Sequence, residues 1–164
     1  MMETKIKLAV LLLGIIFTGL TAGLCFTWSN AVTTGIGLLD DLPFLRSFQA
    51  MNRAIVNGKF LIVFFSPALL LFINTYFFKN SGVSFWLFLA AAVLFFVGIG
   101  LVTIFRNVPL NEILDKSNLS TLTETELGAL RKKFEQPWNR WHTVRTVTSF
   151  LAFVLLLLGF IYTK

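Results

Sequence analysis

One hydrophobic stretch of the sequence, VSFWLFLAAAVLFFVGIGLVTIF, runs from Val83 to Phe105 and contains no Asp, Glu, Lys, Arg or His. At about 1.5 Å per residue, a helix of this length crosses the roughly 30 Å hydrocarbon core of a bilayer. Three further stretches are equally free of ionisable side chains: Leu8 to Phe26, Phe60 to Phe78 and Thr146 to Thr163. The sequence therefore predicts four membrane-spanning helices.

The composition also indicates a membrane protein. Hydrophobic residues make up 56% of the chain and charged residues 13%, and the mean hydropathy is +0.79, whereas soluble domains average about 25% charged residues. The alternating pattern of membrane barrel strands is absent. We expect an all-α integral membrane four-helix bundle that forms one domain over residues 1–164, with spans near 8–28, 60–78, 83–105 and 146–163.

The first span shares features with a signal peptide, because Lys5 and Lys7 precede its apolar core. We expect it to stay uncleaved, since Leu24 stands before Cys25, where a lipoprotein signal needs a small residue, and the apolar run continues through Phe26. The single cysteine forms no internal disulfide. We interpret Cys25 as a small packing residue.

Two long loops, Thr27 to Lys59 and Arg106 to Arg145, carry ten of the fourteen Lys and Arg residues, whereas KNSG alone joins the second and third spans. With four spans, both long loops lie on one side, which we call the loop face. The positive-inside rule places the loop face in the cytoplasm of a bacterial cytoplasmic membrane, with both termini outside. The lysines before the first span favour the opposite orientation.

Each long loop contains a pattern typical of a short amphipathic helix at the membrane interface. Phe44 to Ile55 repeats apolar residues at helical spacing. Glu124 to Phe134 follows a capping-box residue, Thr123, and Pro137 is expected to end this second helix. The basic run Arg131 to Lys133 is interpreted as a solvated face or as a contact with anionic headgroups.

The spans carry small residues and one proline in place of charge. We expect close helix packing at the small-residue rows, and a kink at Pro67 whose freed carbonyl is satisfied by Ser66 or by a neighbouring helix. A proton-coupled transporter usually needs an ionisable residue in the membrane, so that class is disfavoured. The small-residue rows are Gly14, Thr18 and Ala22, then Gly19 and Gly23, then Gly98 and Gly100.

Polar and aromatic residues converge at the loop face. In PWNRWHTVR, a helix that starts near Pro137 puts one set of side chains on one face, at i, i+3, i+4 and i+7. The amides of the RNVPLNEIL segment, and an indole at the end of the first span, leave the membrane on the same side. We expect a site for a flat, oxygenated, partly apolar molecule, formed by Trp138, Trp141, His142 and Arg145 with Asn107, Asn111 and Trp28.

The element Asn107 to Asn111, followed by Trp138, Trp141 and Arg145, resembles the family of small four-helix membrane proteins named for the fungal anthrone oxygenases. The likeness covers nearly the whole chain, including the spacing of the spans. It implies the four-helix fold and, for the fungal members, cofactor-independent insertion of oxygen into an anthrone to give an anthraquinone. Most bacterial members have no assigned activity. His142 is not a signature of the family.

Oxidation without a metal needs a base that forms an electron-rich anion, and a cation or donors that hold the oxyanion. As catalytic candidates, His142 or Glu112 is expected to take the proton and Arg145 to stabilise the anion. The amides and indoles named above are the substrate-binding candidates. One His and one Cys make a self-contained metal site unexpected, so we expect neither a metal nor another cofactor. Arg145 should contact residues 107–112 or 27–30, because an unpaired guanidinium in lipid is costly.

Three functions remain open. The first is an integral membrane protein that binds a small lipophilic aromatic or isoprenoid molecule at the loop face, with anthrone-oxygenase-like oxidation as its chemistry. The second is a structural or accessory subunit whose loop face docks a protein partner or a second copy of the chain. A channel or carrier is the weakest, because the spans lack a polar pathway. The expected partners include the lipid bilayer but no nucleic acid.

Overall fold

The computed structural model describes residues 2–163 and contains four helices long and apolar enough to cross a membrane. They are α1, Met2–Ile36, then α3, Gly58–Phe77, then α4, Val83–Lys116, and α5, Glu124–Ile161. The shorter helix α2, Asp41–Ile55, lies in the first long loop. The chain is an all-α integral membrane four-helix bundle, as the sequence predicted.

The four membrane helices form a ring in which each packs against two others. Helix α1 packs against α3 and α5, and α4 packs against the same two helices. The short connection 78–82 joins α3 to α4 at one end of the bundle. At the opposite end α2 packs against α5 and against Val108–Lys116 at the end of α4. Both long loops therefore lie at this end, which is the loop face.

Glycines let the helices approach closely. A Cβ added at Gly98 would lie 2.5 Å from Cβ of Thr148, and one added at Gly159 would lie 2.5 Å from the ring of Phe88. No side chain larger than hydrogen fits at either position without movement. Gly14 likewise faces α3, while Gly23 and Gly100 meet no tight contact. Close packing predicted from the small-residue rows is thus confirmed for part of them.

Pro67 lies inside α3, which continues through it. Proline has no N–H, so the carbonyl of Val63 loses its usual helical donor. The hydroxyl of Thr21 in α1 lies 3.0 Å from that carbonyl oxygen, and it also reaches Phe17 O at 2.9 Å. A neighbouring helix therefore satisfies the freed carbonyl, whereas Ser66 Oγ has no hydrogen-bond partner within residues 2–163.

The expected break at Pro137 is wrong. Helix α5 runs without interruption for 38 residues, so Glu124 to Phe134 is its first part and not a separate short helix. The capping box at Thr123 is present as predicted. Phe134 and Trp138, on either side of the proline, are both buried in the loop-face core. This packing outweighs the one hydrogen bond that proline removes, and the helix continues.

Arg131 faces the protein and not headgroups, which corrects one of the expectations for the basic run. Its guanidinium donates to the carbonyl oxygens of Gly37 (2.8 Å) and Leu39 (2.7 Å) and to the carboxylates of Asp41 (3.1 Å) and Glu135 (2.7 Å). The two lysines that follow are exposed. Arg131 therefore ties the start of α2 and the preceding turn to α5.

Candidate functional site

A cavity of about 340 Å³ lies inside the bundle at the loop face. All four membrane helices and the end of α2 contribute to its wall. The volume is near the lower end of the range for small-molecule sites, about 300–1,000 Å³. Its buried wall carries the polar groups described next.

Arg145 is the charged group of the cavity, and it is only 7% exposed. Its guanidinium donates to the hydroxyl of Thr103 at 3.3 Å and to Nδ1 of His142 at 2.7 Å. It also lies over the ring of Trp138, with Cζ 5.3 Å from the centroid. Within residues 2–163 no carboxylate forms an ion pair with it. Neutral groups alone therefore hold this buried cation.

The contacts of Arg145 differ from those expected. Arg145 forms no hydrogen bond with residues 107–112 or 27–30. Its acceptors are the hydroxyl of Thr103, one turn earlier in α4, and Nδ1 of His142 in its own helix. The expectation that Arg145 turns inward is confirmed by its burial. The specific partners were missed because a threonine in an apolar span gives no sequence signal.

Both ring nitrogens of His142 are engaged. Nδ1 faces Arg145, and Nε2 lies 3.1 Å from the carbonyl oxygen of Cys25 in α1. A guanidinium only donates and a carbonyl only accepts, so this pattern assigns the proton to Nε2 and the lone pair to Nδ1. His142 therefore links α1 to Arg145, with its only lone pair occupied by the guanidinium.

Trp138 lies at the centre of an aromatic cluster that covers the cavity. Its ring stacks on His142 with centroids 4.8 Å apart and meets the edge of Phe48 at 4.8 Å. The indole N–H donates to Oδ1 of Asn111 at 2.7 Å. Trp28 lies beside it with centroids 6.1 Å apart. Packing and one hydrogen bond thus fix the orientation of the Trp138 ring in the cavity wall.

Three hydrogen-bond donors of cavity-lining residues have no partner within residues 2–163. They are Nε1 of Trp28, Nδ2 of Asn52 and Nε of Arg145. Buried polar groups in native proteins are nearly always hydrogen-bonded, and leaving one unpaired costs about 1–3 kcal/mol. Because all three are donors, each would be satisfied by a hydrogen-bond acceptor, such as the oxygen of a water or of a bound molecule.

Short π-helical turns position the polar residues of α1 and α4. Trp28–Val32 interrupts α1, and Phe96–Leu101 and Thr103–Asn107 interrupt α4. Such turns are rare and frequently occur at functional sites, because they rotate the following side chains and loosen the backbone hydrogen bonds. Two cavity residues, Trp28 and Thr103, lie in these turns. No feature of the sequence predicted them.

Three of the expected site residues do not line the cavity. Glu112 is exposed and forms an ion pair with Lys116 at 3.1 Å. Trp141 is half-buried and does not line the cavity, and Cζ of Arg106 lies 4.8 Å from the centroid of its ring. Asn107 is buried, but its amide donates to the backbone oxygen of Trp138 at 3.3 Å. The structure thus brings together five of the eight: His142, Arg145, Asn111, Trp138 and Trp28.

Other cavity residues were missed by sequence reasoning. Asn52 of α2 was not among the expected site residues, although it lies at the cavity. Cys25, interpreted as packing, contributes its backbone oxygen to His142. Within residues 2–163 there is no group of three His, Cys, Asp or Glu side chains placed to hold a metal ion.

The fold and the cavity together define a class: a small four-helix membrane protein with a cation-bearing, aromatic-lined cavity at one end of the bundle. The family model for anthrone oxygenase matches residues 47–155, which is more than half of the chain. The chain therefore belongs to the anthrone oxygenase family. No curated protein and no solved structure matches the chain. The matched range includes Arg145, His142 and Trp138, whereas the cavity residues of α1 lie outside it.

Proposed function

We propose that the cavity binds a small, flat, lipophilic molecule, aromatic or isoprenoid, whose oxygen atoms accept hydrogen bonds from Arg145 and its neighbours. One observation carries the proposal: within residues 2–163 the buried guanidinium of Arg145 has no carboxylate partner and its Nε has no acceptor. An isolated buried charge is costly, and removing one partner of a buried ion pair typically costs about 3–5 kcal/mol. A bound oxyanion or carbonyl would supply the missing acceptor. From the distribution of Lys and Arg we also propose that the protein lies in a bacterial membrane with its loop face in the cytoplasm.

The family implies a reaction for such a ligand. An anthrone and O₂ give an anthraquinone and water: the ring methylene loses two hydrogens and gains one oxygen atom as a carbonyl, while the other oxygen atom leaves in water. Arg145 would hold the oxyanion that forms when the methylene loses its first proton. A ligand oxygen that accepts from Arg145 competes with His142, and the released Nδ1 lone pair could then take that proton. Glu112 has no place in this arrangement.

The test compares two conservative arginine variants in protein reconstituted in lipid nanodiscs. Arg145→Lys keeps the charge but loses the planar fork that serves an oxyanion or an aromatic face. Arg140→Lys is the matched control, because Arg140 is exposed on the same helix and does not line the cavity. Melting temperature is measured with 1,8-dihydroxyanthrone, 1-naphthol and 1,4-naphthoquinone, and oxygen uptake is measured with the anthrone.

We expect at least one compound to raise the melting temperature of the wild type, since ligand at 100 times its Kd stabilises by about 2.7 kcal/mol. Arg145→Lys should weaken that binding by at least about tenfold, or about 1.4 kcal/mol, with the melt of the ligand-free protein unchanged. Arg140→Lys should bind as the wild type does. If no compound shifts the wild-type melt, or if both variants bind equally, the cavity is not a binding site and docking of a protein partner replaces this proposal.

A further inference from the structure

The residues that line the cavity differ in how exposed their side chains are. The residues that carry its ionisable groups, Cys25, His142 and Arg145, are at most 7% exposed. The lining residues that are clearly exposed are all apolar: Val56, Leu61, Phe65 and Val108. The cavity therefore has a polar end inside the bundle and an apolar opening at the surface.

The opening lies between α3 and α4. These helices pack together where α3 meets Val83–Phe95, near the short connection, and α3 makes few contacts with Thr103–Asn107 at the other end of α4. Leu61 and Phe65 are four residues apart and lie in the first three turns of α3, so they form one side of the gap. Val108 lies on α4 and forms part of the other side.

The α3 side of this gap is expected to face lipid and not water. Leu61 and Phe65 belong to an uncharged membrane span, and their exposed neighbour Ile62 does not line the cavity. A water-filled entrance would be expected to carry polar side chains at its rim, since exposed apolar surface is unfavourable in water. The four exposed rim residues carry none.

We infer that the cavity is loaded sideways from the bilayer, through a portal between α3 and α4 lined by Val56, Leu61, Phe65 and Val108. This inference rests on the proposed function and narrows its ligand to molecules that partition into lipid and enter with their oxygen end first. Charged or highly water-soluble relatives of the same ligand are excluded at the portal, because moving a charge through the hydrocarbon region costs about 2.5–3.5 kcal/mol or more.

The single cysteine of the chain supplies a test that needs no ligand. Cys25 lies at the buried end of the cavity, so a reagent must pass the opening to reach it. Wild-type protein in nanodiscs is treated with N-phenylmaleimide, which partitions into lipid, or with a sulfonated phenylmaleimide of similar size. Each rate is divided by the rate of the same reagent with free cysteine in water.

The same reaction is then followed in two variants. Leu61→Trp places a larger side chain in the portal, and Ile62→Trp is its matched control, one residue along and exposed to lipid outside the cavity. We expect N-phenylmaleimide to label Cys25 in the wild type and the sulfonated reagent to be at least about tenfold slower. Leu61→Trp should slow labelling several-fold, and Ile62→Trp should leave the rate unchanged.

Three outcomes would overturn the portal: equal normalised rates for the two reagents, equal rates for the two variants, or no labelling by N-phenylmaleimide. A portal that fails in this assay leaves the melting experiment intact, so a cavity that binds ligand by another route is recognised. In contrast, normal labelling together with no ligand-induced melt shift would retain the portal and reject the proposed ligand. The failures of the two proposals are therefore distinguishable.

Discussion

Helix α5 carries two largely buried arginines, Arg131 and Arg145, which both lie over aromatic rings but differ in their hydrogen-bond acceptors. Arg131 donates to two carboxylates and two backbone oxygens and lies over the ring of Phe44. Arg145 contacts one hydroxyl, one imidazole nitrogen and aromatic faces, and its Nε has no partner in the described part of the chain. The first guanidinium is neutralised by the fold, and the second is not.

This contrast separates structure from function more clearly than burial does. A cation whose charge and donors are all matched inside the protein contributes to the stability of the loop face. A cation left with neutral acceptors lowers stability in the absence of a ligand, and such a cost is typical of binding and catalytic sites. We therefore interpret Arg131 as a structural residue, whereas the proposed function makes Arg145 a binding residue.

Replacing each arginine with methionine should give opposite results, and this is the largest effect expected. Arg145→Met should abolish the ligand-induced melt shift while leaving the ligand-free melting temperature unchanged or higher, because a desolvated charge is removed as its two hydrogen bonds are lost. Arg131→Met should keep ligand binding but lower the free energy of unfolding by about 1–3 kcal/mol, since two carbonyls and two carboxylates lose their donor.

Both properties are measured in the same nanodisc preparation, by melting with and without 1,8-dihydroxyanthrone. A loss of stability in both variants with binding retained in both would abolish the distinction between the two arginines. So would a loss of binding in Arg131→Met that matches the loss in Arg145→Met.

The fold could be predicted from the sequence because the feature that determines it, an uncharged apolar stretch, is local. A charge-free stretch such as Val83 to Phe105 has only one low-energy solution in a bilayer, since every backbone group must be hydrogen-bonded within the segment. The ends of the helices could not be predicted in the same way. Pro137 is a helix breaker by local rules, but burial of Phe134 and Trp138 in the loop-face core overrides it.

Only the part of the candidate site that lies on one helix could be predicted from the sequence. The spacing of Trp138, His142 and Arg145 places them on one face, and all three line the cavity. The contacts between helices gave no local signal. Thr103 contributes a single hydroxyl to an apolar span, and it lies in a π-helical turn that no sequence pattern predicts. Glu112 fitted the expected chemistry but faces away from the cavity.

Close packing of α4 against α5 near Arg145 gives a second prediction. Gly98 in α4 faces Thr148, one turn beyond Arg145, and an added Cβ would approach three atoms of that side chain to 2.6 Å or less. Gly98→Ala should therefore lower the free energy of unfolding by about 1–3 kcal/mol. Gly100→Ala is the matched control in the same π-helical turn, where the nearest atom lies at 3.9 Å and no loss is expected.

Unfolding of both glycine variants is followed by circular dichroism in mixed micelles, and ligand affinity is measured for each. If the helices at Gly98 set the stability of the bundle, the alanine variant loses stability and keeps most of its affinity. Equal stability of the two variants would show that α4 and α5 are not in close contact at this level. The cavity would then have to be held by the loop-face core alone.

The smallest expected effect distinguishes two tryptophans of α5 in the way that the first prediction distinguishes the arginines. Trp141 lies outside the cavity beneath Arg106, so Trp141→Phe should leave ligand affinity unchanged and cost at most about 1 kcal/mol of stability, the size of an exposed cation–π contact. Trp138→Phe removes the indole N–H that reaches Asn111 and part of the ring that lines the cavity. It should weaken binding by about 1 kcal/mol.

Titration of each variant with 1,8-dihydroxyanthrone checks this. Equal weakening by the two substitutions would mean that the ligand binds outside the cavity, near Trp141, and that Arg145 does not hold it.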